Sequence, residues 1–144
     1  MTINNVEKFM STIWDWGILD GCFGDTKIKP TDIDGVIERN GKFLFIETKS
    51  PGASVPVGQE IMFLHLVEMD ASVLVIWGEK DTPQEMYFRS QRGCRRYPNA
   101  SIEELRHLVK RWFSWADKQE SKRTGGKFFE MTAHQKQLRK GENK

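Results

Sequence analysis

Cysteine is scarce in this 144-residue chain, which carries two, Cys22 and Cys94. They lie far apart and outside any C-x-x-C arrangement, so neither a disulfide framework nor a thiolate zinc site organises the chain, and free thiols in a reducing cytoplasm are expected. Histidine is equally thin, since His65, His107 and His134 share no metal-ligand spacing. No run approaches the ~18 apolar residues of a membrane-crossing helix, so no membrane partner is expected. The first six residues have no charged segment leading into an apolar one, so no secretory signal is expected either. A Walker loop, a G-x-G-x-x-G turn and a G-x-S-x-G elbow are all missing, which removes the usual signatures of phosphate-loop, dinucleotide and serine-hydrolase chemistry.

The length suits one domain with a real core. Net charge of +2 conceals a division. Residues 1–88 hold seven Lys/Arg against fourteen Asp/Glu, and residues 89–144 hold fifteen against six. An acidic half beside a basic half suits a cation-binding pocket next to a surface that follows a polyanion, whereas the plainer account of the basic half is a solvated face and tail.

The acidic half contains the most specific local signal. Asn40-Gly41 is the pair favoured where both central residues of a type I′ turn need positive φ, and it fixes a hairpin register. Arg39 then faces Lys42, Ile37 faces Leu44, Gly35 faces Ile46, and Asp34 faces Glu47. Directly opposed residues share a face, and Lys49, two positions beyond Glu47, emerges on that face too. Opposed acids repel, so Asp34 and Glu47 call for a positive partner, and a hard divalent cation held by one or two carboxylates and several waters would serve. The plainer roles are a cap at the start of the strand for Asp34 and a solvated strand face for Glu47 and Lys49. Apolar residues on both faces of 42–49 argue instead for a strand covered on both sides, where charged groups are seldom idle.

From Ile33-Asp34 through Glu47-Thr48-Lys49 the chain resembles the PD-(D/E)xK nucleases: an acid, a hairpin, then E-x-K at the end of an apolar strand. Ser50-Pro51-Gly52, the helix opening at Gln59-Glu60-Ile61-Met62-Phe63 and the buried strand Val73-Leu74-Val75-Ile76-Trp77 are similar to the compact VRR-NUC-like and phage-type members. The likeness spans about residues 30–78. No proline directly precedes Asp34, which leaves Asp32 beside Asp34 as the alternative first ligand. The resemblance implies an α/β, restriction-endonuclease-like mixed sheet flanked by helices. It also implies a Mg²⁺- or Mn²⁺-dependent DNA nuclease in which Asp34, Glu47 and the Thr48 carbonyl bind metal, Lys49 positions or activates water, and Gln59 steadies phosphate or water, the plainer place for Gln59 being a solvated helix start. Related nucleases often bring a further acid from the first helix, for which Glu7 is the candidate here, its plainer role being a surface acid, and a homodimer is among the partners implied. A small chain without a separate reading domain suits recognition of DNA structure or ends. The alternative is a protein that keeps this fold and binds nucleic acid, or inhibits, without cleaving.

The rest of the scaffold is read from periodicity. Val6, Phe9, Met10, Ile13 and Trp14 predict an amphipathic helix ending near Gly17 and packing on the sheet. Residues 18–33 read as loop with at most a short strand, and residues 56–69 as a core helix. Residues 72–77 read as a central strand and 86–89 as a strand near an edge. Ser101 with Glu104 forms a capping box for a helix to about Gln119, whose Leu105, Leu108, Val109, Trp112 and Trp115 are expected in the core. Arg89, Arg92, Arg95 and Arg96, grouped around Gly93, read as a loop that clamps DNA phosphates. Residues 1–120 are the expected domain, and 121–144 a basic extension beyond a Thr124-Gly125-Gly126 hinge.

Overall fold

The computed structural model describes residues 5–120 together with residues 137, 138 and 141. The Thr124–Gly126 hinge therefore lies outside the described residues, and so does nearly all of the extension. Contacts divide the chain into two units, Met1–Ile33 and Asp34–Lys144. In the first unit, helix α1 spans Val6–Ser11, with the Asn5 side chain accepting from the Lys8 N–H. It stops short of Gly17, contrary to the expectation. Thr12 closes it by donating its hydroxyl and N–H to the Phe9 carbonyl, and a separate 3-10 turn follows at Gly17–Leu19. No residue of α1 is buried.

The second unit is a five-stranded mixed sheet in the order β1–β5, with β1 at Gly35–Arg39, β2 at Lys42–Lys49, β3 at Ser72–Glu79, β4 at Thr82–Ser90 and β5 at Gly93–Tyr97. Helix α2 (Val57–Glu68) links β2 to its parallel neighbour β3, and helix α3 (Ile102–Asp117) follows β5. The β1–β2 hairpin has the register read from the sequence, Gly35 opposite Ile46 through Arg39 opposite Lys42, and both Asn40 and Gly41 take positive φ, 52° and 78°.

Two half-cores result from strand alternation. Leu44, Leu74 and Met86 point to one face and bury with Leu108, Trp112 and Ala116 of α3. Phe45 points to the other face, where Val73 and Val75 bury with Phe63 of α2. Ser101 Oγ accepts from the Glu104 N–H, as the capping box predicts.

The basic segment differs from its reading as a loop. Residues 82–97 form a β4–β5 hairpin turning at Gln91-Arg92, and β5 is one of the sheet's two edges. Its four exposed residues include Arg95 and Arg96, charges that suit an edge strand. β4 contains Pro83, which a regular inner strand would reject. It is tolerated because the β3–β4 register shifts between Trp77 and Gly78, and Pro83 pairs with Gly78 at that shift. The bulge also demands glycine, since a Cβ on Gly78 would lie 2.2 Å from the Thr82 carbonyl oxygen.

Candidate functional site

The sheet has two unlike ends. At one end lie the last residues of β2 and β3 and the start of α2. The start of α3 joins them, because Ala100 donates its N–H to the carbonyl of Gln84 beside the bulge. At the other end lie the β1–β2 and β4–β5 turns and the ends of both helices. There Asn40 Nδ2 donates to the Ala116 and Asp117 carbonyls, and Gln91 Nε2 donates to those of Val67 and Glu68. Glu47, Thr48 and Lys49 are thus at the carboxyl end of a parallel strand pair. Two helix N-termini, the positive ends of their dipoles, lie at that end too.

Alternation puts Phe45, Glu47 and Lys49 on the α2 face. Glu47 and Lys49 are largely enclosed, at 13% and 17% side-chain exposure, and Lys49 Nζ stands 3.4 Å from Glu47 Oε1. The ammonium supplies the positive partner that the acid requires at this depth. Trp77, opposite Lys49 in the β2–β3 register, donates its indole N–H to the Ala53 carbonyl at 2.6 Å and so pins the β2–α2 connection beside the pair.

Asp34 directly precedes β1. Its Oδ2 accepts from the Thr48 N–H at 2.8 Å and from the Thr48 hydroxyl at 3.1 Å. The carboxylate thus stands where a further rung of the β1–β2 ladder would be, which is the capping role. It is also fixed one residue from Glu47. Since a strand residue's N–H and C=O face the same neighbour, the Thr48 carbonyl lies on the Asp34 side of β2. The Thr48 hydroxyl alternates to the α3 face, opposite that of Glu47 and Lys49, so these bonds hold Asp34 at Thr48 itself rather than against Glu47. Among the described residues no three of His, Cys, Asp and Glu converge.

Gln59 lies on α2 one turn before the buried Phe63, and its Oε1 is buried without a hydrogen-bond partner. Glu7 and Asp32 belong to the other unit, where both are exposed.

The four arginines do not form one clamp, because the register distributes them over two faces. Glu47, Val75, Tyr87 and Arg96 make one cross-strand row on the α2 face, and Arg89 occupies the next row, opposite Val73 and Cys94. Arg95, opposite Phe88, lies on the α3 face, and Arg92 reaches the Trp115 ring of α3. Arg89 is 5% exposed, forks onto both carboxylate oxygens of Glu60 and lies over the Phe63 and Tyr87 rings. That corrects its assignment: it holds α2 to the sheet rather than presenting itself to DNA. The sequence gives no direct sign of the Glu60 partnership, which joins two elements 29 positions apart.

Hydrogen bonding from Arg89 holds the Glu60 carboxyl below its ordinary range against the opposing effect of burial. Asp70 is lowered likewise, first by the hydrogen bond from Lys42 and then by that from Arg92. The Asp70 bridge lies at the opposite end of the sheet from Glu47 and Lys49. Searched against protein-family models, curated proteins and solved structures, the chain matches none. What the architecture defines is the class, a mixed α/β domain with a five-stranded sheet flanked by helices.

Proposed function

We propose that this protein is a Mg²⁺- or Mn²⁺-dependent DNA nuclease of the PD-(D/E)xK kind, built on the restriction-endonuclease-like plan. The observation that carries the reading is the enclosed Glu47–Lys49 pair at the carboxyl end of a central parallel strand, with the Asp34 carboxylate bound to Thr48, the residue between them in sequence. Asp34, Glu47 and the Thr48 carbonyl would hold the cation. Bound there, it would supply Lewis acidity and charge neutralisation to a phosphodiester. Lys49 donates to the attacking water or to the phosphate oxygen on which charge develops, and Glu47 keeps its ammonium in place. Gln59, with its unpaired amide oxygen, orients water from α2. Opposed polarities at the two ends of the sheet support a phosphate arriving at the end where both helices begin. Recognition of DNA structure or ends, rather than of a long sequence, suits the small scaffold.

One observation favours a second reading, a nucleic-acid-binding protein without cleavage: Glu47 and Lys49 already satisfy one another, and Asp34 is occupied by Thr48. Incubation of end-labelled duplex, single-stranded, flap and four-way-junction DNA with Mg²⁺, Mn²⁺ or EDTA decides between them. Metal-dependent cleavage of at least one substrate is expected. Binding without cleavage of any, in either metal, would favour the second reading.

A further inference from the structure

The α3 face carries a cleft of about 380 Å³ between the β4–β5 hairpin and the second half of α3, within the size range of small-ligand sites. It is separate from Glu47 and Lys49, being on the opposite face of the sheet and toward the opposite end. Its origin is topological. α3 buries its stripe against Leu44, Leu74 and Met86, so the edge strand β5 extends past the helix and leaves a trough.

On the helix side Arg111, Trp112 and Trp115 line this trough, and on the hairpin side Arg92, Arg95 and Tyr97 do. No Asp or Glu is among its lining residues. Planar groups are already layered there: the Arg92 guanidinium carbon lies 3.5 Å from the centroid of the Trp115 ring, and that of Arg95 4.9 Å from that of Tyr97. Asp70 takes one Arg92 nitrogen at 3.0 Å and leaves its other donors for a ligand. Among the described residues no carboxylate pairs with Arg95 or Arg111.

A lone small anion would leave the aromatic walls unused, and an uncharged ring would leave the guanidinium groups unused. We propose that the cleft binds a nucleoside phosphate, either free or as one unit of a single strand. The base stacks against the aromatic and guanidinium planes, and the phosphate is held by Arg95 and Arg111. Choosing a nucleotide over other ring-bearing phosphates rests on the nuclease reading, for which the cleft is a second contact on the strand, remote from the cleavage site.

Tryptophan fluorescence of the full chain, titrated in EDTA with dTMP, thymidine, inorganic phosphate, phosphotyrosine and a short oligothymidylate, tests this without requiring cleavage. Saturable binding of nucleotide is expected, at least about tenfold tighter than thymidine or phosphate alone, and weakened about tenfold by Arg95→Ala or Arg111→Ala, the scale of one charged hydrogen bond. Both residues are exposed, and circular dichroism melts confirm that the variants fold. Response to the oligomer alone identifies a strand as the source, and a response to dTMP alone identifies a free nucleotide. The proposal is overturned by no saturable response to either, by phosphate or phosphotyrosine binding as tightly as the better nucleotide ligand, or by unchanged affinity in both variants. Nucleotide binding that persists when Glu47→Gln abolishes cleavage keeps the two sites distinct, and absence of binding with cleavage intact sinks the cleft alone.

Discussion

Asn40 has two requirements, and Gly41 has one. Both need positive φ for the turn, and Asn40 also donates its amide to the last carbonyls of α3, so the pair that sets the Glu47 register also anchors a helix. Space around Gly41 is open, with nothing within 4 Å of where a Cβ would be, so its demand is conformational alone. Gly41→Ala is therefore expected to cost about 1–2 kcal/mol, readable by urea unfolding. Asp34 has two roles as well. Removing an acid near Glu47 relieves repulsion, but Asp34→Ala also strips the Thr48 N–H and hydroxyl of their acceptor. The hydrogen bonds should outweigh the relief, so a net loss of about 1 kcal/mol is expected. A gain in stability would show that repulsion dominates. Ser72 is the opposite case: fully buried, with its hydroxyl unpaired. Ser72→Ala is expected to be neutral or to raise stability by up to about 1 kcal/mol, because no partner is lost.

At the scale of elements, α2 and α3 are each fastened by a hairpin turn and an ion pair. Gln91 caps the end of α2 as Asn40 caps α3, Arg89 grips Glu60, and Arg39 pairs with Asp117. Glu60 and Asp70 have carboxyls lowered by their cationic partners, so the stability they contribute is present above the ordinary carboxylate range and is lost as pH falls through their lowered values. The unfolding free energy should thus drop steeply below about pH 4. In Glu60→Gln that drop should be shallower, and an identical pH profile would mean that the Arg89 pair contributes nothing in solution. The sequence made some elements legible and hid others. Residues 34–49 were readable because Asn-Gly dictates a turn and strand alternation does the rest. α3 was readable through its capping box and apolar stripe, although Trp115 proved to line a cleft as well as flank the core. β5 was not, because an arginine-rich edge strand lacks an apolar face and its turn, Gln91-Arg92, carries no turn signature. α1 was overextended because the apolar periodicity continues through Ile13 and Trp14 after the helix has closed at Thr12.

Across the whole second unit, the same polarity orders structure and proposed chemistry. Turns, helix ends and the Lys42–Asp70–Arg92 bridge gather at one end, while the carboxyl ends of β2 and β3 and both helix starts gather at the other. Arg96 shares the cross-strand row of Glu47 three strands away, about 14 Å by sheet spacing, so it belongs to a different part of any bound strand. That separation between the acid–lysine pair and the arginines could not be read along the chain. It follows from the pairing of β4 with β3 and β5. Among the described arginines, Arg89 thus braces α2, Arg96 lies over Tyr87 on the same face, and Arg92, Arg95 and Arg111 line the cleft on the other. The most direct test of the acid–lysine site is single-turnover cleavage of the best DNA substrate in Mg²⁺ by the wild type, Glu47→Gln and Lys49→Ala, with DNA affinity measured in parallel in EDTA. Cleavage should fall by roughly 100-fold or more in both variants while affinity stays within a few-fold, because both groups act where charge develops and neither dominates binding. Cleavage at the wild-type rate in Glu47→Gln and Lys49→Ala would contradict the assignment.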